Sequence, residues 1–227
     1  MLNNLKFKGE ESKFFFISDL HWDHRPKWEI PIWKMRGYNS PEEYNNGIIN
    51  KWNEVCDHES TVFHLGDLVF NDGDGSKFMS LMNRLNFKNL YLGLGNHNSG
   101  QKTVYNHILK ENYLDLYENS QEVYPLPFKI NSIKTVYFMP VYFEIFINNI
   151  GLVLSHYPII SFNGQKDNFI HCSGHVHNNL PLTNPLTGKG KRIDVGVESF
   201  GKPVSLDFLR KFLSNRGIDS VDHHGNK

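Results

Sequence analysis

Phe14-Phe15-Phe16-Ile17-Ser18-Asp19-Leu20-His21 decides how the chain is read. Four consecutive apolar residues with no polar alternation fit a short strand buried on both faces, which is the signature of a covered parallel sheet. The run breaks at Ser18, and an aspartate and a histidine follow at once. The same sentence structure recurs. Thr61-Val62-Phe63-His64-Leu65 leads into Gly66-Asp67, and Leu90-Tyr91-Leu92-Gly93-Leu94 leads into Gly95-Asn96-His97. Between the strands lie segments of helical spacing. Ser40-Pro41-Glu42-Glu43 carries an N-cap, a first-turn proline and a capping-box glutamate, ahead of Ile48, Ile49, Trp52 and Val55. Phe78, Leu81, Met82 and Leu85 form a second apolar stripe. Strand, polar loop and helix in alternation predict an α/β fold.

Further along, Val136 to Phe146 is β-prone, and Phe146 to Leu154 reads as a hairpin turning near Asn148 to Gly151. Its second arm delivers Ser155-His156-Tyr157. Phe169 to Cys172 delivers Gly174-His175-Val176-His177. Arg192 to Val197 reads as a last strand and Ser205 to Phe212 as a short helix. The tail from about residue 215 is expected to fray, and Asn71 to Gly75 to form a turn-rich loop. The expectation is a single domain spanning residues 1–227.

Composition narrows the class. The 227 residues are 39% hydrophobic and 21% charged, a globular balance. Lys plus Arg and Asp plus Glu number 24 each, so no chain-wide charge draws the protein to nucleic acid or membrane. Two cysteines, Cys56 and Cys172, suit free thiols in a reducing compartment better than a disulfide scaffold. No signal-type segment or apolar run of bilayer length is visible, so the expected location is the cytoplasm.

Five blocks therefore place Asp, Asn or His where a strand enters a loop. These residues bind hard or borderline divalent cations through oxygen or imidazole nitrogen. Asp-x-His and His-x-His are expected to set two donors on one face of an extended segment, and the glycines Gly66, Gly95 and Gly174 to let the backbone turn tightly. Each motif is weak alone; their order and their positions at strand ends carry the weight.

In that order the blocks resemble the calcineurin-like metallophosphoesterase superfamily, particularly its small single-domain bacterial and phage members, from about Phe14 to Phe208. Leu154 to Pro158, Val195 to Val197 and Pro203 to Leu206 share in the likeness. The resemblance implies a four-layer α-β-β-α sandwich of two mixed sheets flanked by helices. It implies that Asp19, His21 and His177 hold one metal, that Asn96, His156 and His175 hold a second, and that Asp67 bridges both. His97 would face the leaving group. The metals would be two divalent ions, Mn²⁺ foremost, with Fe, Zn, Ni and Co as alternatives. The chemistry implied is hydrolysis of a phosphodiester or phosphomonoester, nucleotide-like in character, by a hydroxide held between the metals.

Asn98 stands where the family has an acid after Gly-Asn-His. An amide orients the catalytic imidazole without favouring its charged form, so Asn98→Asp is expected to extend activity to higher pH. The Trp-rich loop from Trp22 to Trp33, with Lys34 and Arg36 beyond, reads either as a hydrophobic cover or as a substrate wall, with His24 and Arg25 as substrate-binding residues. His64 and His171 read as core histidines, His58 and His107 as surface or helix positions, and His223 and His224 as tail residues. A nuclease acting on DNA or RNA ends is the alternative enzyme. A Ser/Thr protein phosphatase ranks low because Gly66 to Asn71 lacks the expected arginine. A non-enzymatic metal-binding scaffold is disfavoured, because the expected ligands and His97 are all kept.

Overall fold

A computed structural model describes residues 5–70, 72–97 and 125–219. The strands are β1 (Leu5–Phe7), β2 (Phe14–Ile17), β3 (Thr61–His64), β4 (Asn89–Leu92), β5 (Leu126–Lys129), β6 (Thr135–Phe138), β7 (Tyr142–Ile147), β8 (Ile150–Ser155), β9 (Ile170–Ser173), β10 (Arg192–Asp194) and β11 (Val204–Ser205). The helices among the described residues are α1 (Ile32–Met35), α2 (Pro41–Val55), α3 (Ser76–Arg84), α4 (Val197–Phe200) and α5 (Leu206–Leu213). Two mixed sheets result, flanked by helices. One runs β11-β2-β3-β4-β6-β5 and the other β1-β7-β8-β9-β10.

Alternation along β2 explains its four buried residues. Phe14 and Phe16 join the cluster between the sheets, with Phe63, Leu65, Ile145, Leu152 and Leu154. Phe15 and Ile17 point the other way, into the cluster with Ile48, Trp52, Phe78 and Leu81 of α2 and α3. The strand is thus apolar on both faces because both faces are covered. Leu206, Leu209 and Leu213 of α5 close the inter-sheet cluster.

Register positions the loops. Ile17 lies opposite His64, and His64 opposite Leu92. β2, β3 and β4 are parallel and end level, so their following loops emerge along one edge. β8 and β9 are also parallel, with Leu154 opposite Cys172, and release His156 and His175.

Several local readings hold with altered detail. Ser40 Oγ accepts the Glu43 N–H at 3.0 Å, but the Glu43 carboxylate reaches back to Asn39 N–H at 2.8 Å rather than to the cap residue. The β7–β8 hairpin turns on Asn148 and Asn149, both at positive φ (48° and 69°), as a two-residue turn of matching twist requires. The segment Val136 to Phe146 divides between the sheets, β6 in one and β7 in the other. The strand expected to reach Val197 ends at Asp194, because the Asp194 carboxylate accepts Gly196 N–H at 2.7 Å and turns the chain into α4.

The tail expected to fray from residue 215 makes side-chain contacts with the body of the fold up to Asp219. Arg216 donates to Arg192 O at 3.0 Å, and the buried Arg192 guanidinium pairs with Asp219 at 2.9 Å. A buried cation needs that partner, and it ties the tail down. Asn71, Asn98, His107, His223 and His224 lie outside the described residues.

Candidate dinuclear metal centre

The loops after β2 and β3 continue to pair beyond the strands. Asp19 N–H donates to Gly66 O at 3.0 Å, His21 N–H to Asp67 O at 2.8 Å and Trp22 N–H to Leu68 O at 2.9 Å. This backbone lacing sets Asp19 and His21 beside Asp67. From the other sheet, His175 N–H donates to Asp19 Oδ2 at 2.9 Å. His97 N–H donates to Asp67 Oδ1 at 2.7 Å.

Two groups of donor atoms converge: Asp19, His21 and His177, and Asp19, Asp67 and His156, with all atoms of each group within 4.8 Å of one another. Asp67 Oδ2 lies 3.7 Å from His21 Nε2 and 3.5 Å from His156 Nε2, so one oxygen faces both halves. Asn96 Oδ1 lies 2.9 Å from His156 Nε2 and 3.0 Å from His175 Nδ1. All seven residues expected as ligands are therefore gathered in one place.

The backbone that gathers them is not extended. Asp19 (φ 58°), His21 (46°), Asp67 (54°), His175 (70°) and His177 (47°) all occupy left-handed space. Alternation along a strand is thus not what brings Asp19 and His21, or His175 and His177, together. Left-handed non-glycine residues cost free energy, and their concentration here is typical of a built site. The glycines also act differently from a simple turn. A Cβ on Gly95 would collide with the Asp67 carboxylate, and one on Gly174 with Ser18 Oγ and Asp19 Oδ2. Of these three only Gly66, at φ 120°, combines an unusual backbone with crowding, since a Cβ there would lie 2.7 Å from His156 Nδ1. The glycines leave room for carboxylates.

Proton bookkeeping shows that the arrangement fits a cation. His156 Nδ1 faces the Leu65 carbonyl at 3.1 Å and must donate to it. In the neutral ring Nε2 then carries a bare lone pair, aimed at the Asn96 and Asp67 oxygens. Lone pairs directed at lone pairs repel unless a positive ion lies among them. Asp19 Oδ1 and both His21 nitrogens are buried without a hydrogen-bond partner among the described residues. Such orphaned atoms are costly, and a bound metal would satisfy them.

Electrostatics agrees. Burial pushes the Asp19 carboxyl up to about 7, with Asp67 adding to the rise and His177 opposing it. Burial, then Arg36 and His177, hold His21 well below its ordinary value. Burial also lowers His156. Burial leads each of these shifts, and for His21 and His156 it favours the neutral imidazole, the form that can offer a lone pair to a cation.

Two residues not assigned by sequence reasoning support this cluster. Glu198 accepts His177 Nδ1–H at 2.8 Å, which leaves Nε2 free to act as a donor. Arg36 is nearly buried, binds Glu198 Oε1 through Nε at 2.8 Å, and donates to the Asp19 carbonyl at 2.7 Å. Burial opposes charge on His177, yet Glu198 prevails and raises it. The available signals were faint. Glu198 follows the Val195-Gly196-Val197 segment, and Arg36 was one cation among several in the Trp-rich loop.

That loop divides between its two readings. Trp22 is buried and Trp33 packs on the core, whereas Trp28 is 96% exposed. His24 is buried beside the cluster, its ring 5.7 Å from that of His21. Its Nδ1 accepts Ile32 N–H at 2.9 Å. Burial lowers its pKa, with His97 and Arg36 adding to the effect and Glu29 opposing it. Arg25 is otherwise engaged, bonded to Asp23 at 2.7 Å and Glu42 at 2.6 Å. His64 and His171 are fully buried, and burial drives them to about 3 and about 4. His58 is exposed, and both cysteines are free and buried.

A sequence model of the calcineurin-like phosphoesterase family matches residues 12–221. The chain belongs to the calcineurin-like phosphoesterases. This family of metal-dependent phosphoester hydrolases accounts for the two mixed sheets and for the donor cluster at their edge. An uncharacterized protein of Methanocaldococcus jannaschii, MJ1445, is 28% identical over 207 residues, covering 88% of this chain and 91% of that one. The crystal structure of a protein of unknown function from Aquifex aeolicus, AQ665, is similar with a TM-score of 0.54 at 20% identity, covering 87% of this chain and 97% of that chain. At that identity the likeness concerns fold alone. Among the described residues no helix is long and apolar enough to cross a membrane.

Proposed function

We propose that the protein hydrolyses a small, nucleotide-like phosphodiester or phosphomonoester with two divalent cations, Mn²⁺ foremost. The observation that supports this most directly is the position of Asp67 Oδ2, 3.7 Å from His21 Nε2 and 3.5 Å from His156 Nε2. Asp19, His21 and His177 would hold one cation, Asn96, His156 and His175 the other, and Asp67 both. Two cations there would acidify a water and neutralise charge on the phosphoryl oxygens.

The chain's own groups supply positioning and protons. His97, held through its N–H on Asp67 and with its ring 5.6 Å from that of His21, would give a proton to the leaving oxygen. In neutral His24 the Ile32 bond to Nδ1 puts the proton on Nε2, from which it would donate to a phosphoryl oxygen. Arg36 and Glu198 hold the Asp19 loop and His177 in place. A cytoplasmic location goes with this reading, since two buried free thiols suit a reducing compartment.

The test compares an aryl phosphomonoester with an aryl phosphodiester on Mn²⁺-loaded protein, followed by nucleotides, cyclic nucleotides and short oligonucleotides. Turnover of one ester class that requires added metal is expected. Absence of turnover with Mn, Fe, Zn, Ni and Co alike would overturn the reading, and activity confined to oligonucleotides would make the protein a nuclease.

A further inference from the structure

Beside the metal cluster lies a cleft of about 430 Å³ lined by Pro26, Lys27, Trp28, Glu29 and Phe70. Its inner wall is Phe70. That ring packs 4.1 Å from the His24 ring and 5.8 Å from the His97 ring, centre to centre. Its backbone is pinned by the bond from Phe70 N–H to Trp22 O at 3.1 Å, next to a bridge between Trp22 and Val69. The aromatic wall is thus fixed to the same lacing that carries Asp19 and Asp67. The outer wall is Trp28, whose side chain is 96% exposed. A tryptophan so exposed offers a large apolar face to an external partner.

We infer that this cleft is the leaving-group subsite, and that it takes the neutral aromatic part of a phosphate ester, a nucleoside base in particular, between Phe70 and Trp28. The inference rests on the phosphoesterase reading above. Three features point to that occupant. The cleft opens from Phe70, which touches the histidine assigned to the leaving oxygen. Its volume is within the range of small-molecule sites and suits a planar ring. Its charges are one lysine and one glutamate, with the Glu29 carboxylate 3.5 Å from His24 Nε2. These two charges offset, so the cleft offers no net positive charge to a second phosphate and favours an uncharged group beyond the scissile one. Aromatic faces stack on any base without reading its edges, which predicts selectivity for having a base rather than for which base.

The experiment isolates the base from the leaving alkoxide. Adenosine 5′-phosphate is compared with ribose 5-phosphate, and their methyl diesters with each other, on the Mn²⁺-loaded protein. The wild type is expected to favour the nucleoside ester by about tenfold in kcat/KM, mainly through KM. Trp28→Ala and Phe70→Leu are each expected to bring that ratio toward one. Quenching of tryptophan fluorescence by adenosine 5′-phosphate, weakened in Trp28→Ala, is the readout independent of turnover. Equal kcat/KM for the two esters in the wild type, or a preference that survives both substitutions, would overturn the subsite. Quenching that persists unchanged in Trp28→Ala would do the same. Failure of every ester, with Trp28-dependent quenching intact, would instead count against the hydrolytic reading and leave the base subsite supported.

Discussion

Replacing Glu198 by Gln tests whether the residue behind His177 governs the metal centre. The carboxylate has two jobs. It accepts His177 Nδ1–H at 2.8 Å and it faces the Arg36 guanidinium, at 2.7 Å from one terminal nitrogen and 2.8 Å from Nε. Gln keeps an acceptor of the same length but loses the charge, and charge-assisted bonds are roughly twice as strong as neutral ones. Loss of an outer partner of a ligating histidine typically lowers metal affinity about 10–100-fold, or roughly 1.4–2.7 kcal/mol. Arg36, with a side chain only 7% exposed, would also lose its counter-ion. Removing a partner from a buried pair costs about 3–5 kcal/mol. Here the Asp19 and Leu20 carbonyls still accept from Arg36, so the loss should be nearer 2 kcal/mol. For a domain of this size that corresponds to a fall of roughly 4–8 °C in melting temperature. The assay is a Mn²⁺ competition titration against a chelator, alongside thermal melts of metal-free protein. One of two sites should weaken and the other should change little. Two unchanged Mn²⁺ affinities would refute the claim that Glu198 orients His177 for metal.

Other outcomes follow from the same geometry. Asp67→Asn should abolish turnover and lower the content of both metals, because one oxygen faces both donor groups; normal stoichiometry by elemental analysis would remove Asp67 from its bridging place. Gly174→Ala should strip metal while the similarly conservative Gly217→Ala does not, since a Cβ at Gly174 meets Asp19 Oδ2 and one at Gly217 meets nothing within 4 Å. Acid should destabilise the fold through His171. Its folded value of about 4 lies below the ordinary 6.5, so the stability it preserves is complete above 6.5 and is lost as pH falls toward 4, about 3 kcal/mol in all. Denaturant unfolding at pH 7 and pH 4.5 should therefore show a smaller acid loss for His171→Gln than for the wild type, and equal losses would contradict this account.

Much of the site was legible because ligand chemistry depends on residue type. Asp, Asn and His at the ends of apolar runs announce strand-edge donors without any knowledge of contacts, and all seven expected ligands come together. The geometry behind them was not legible. Asp19 and His21 looked like neighbours on one face of a strand, yet both are left-handed, and it is pairing with the Gly66 and Asp67 carbonyls that aims them. Gly95 and Gly174 looked like turn residues, yet they serve by lacking a Cβ where a carboxylate must pass. Arg25 looked like a phosphate ligand by proximity in sequence, but Asp23 and Glu42 hold its guanidinium.

The sequence by itself determined the α/β class, the strands that lead into the five donor blocks and the longer helices α2, α3 and α5, because apolar periodicity is a local property; the short elements β1, β5, β11, α1 and α4 came only with the tertiary structure. The tertiary structure alone decided which sheet each strand joined, which glycines made room, and which residues stood behind the ligands. Glu198 reaches His177 across 21 positions and Arg36 across 162, and Phe70 comes to lie against both His24 and His97. Such partners are chosen by which strands lie side by side in a sheet and by the packing of one sheet on the other, relations between distant segments that no local pattern encodes.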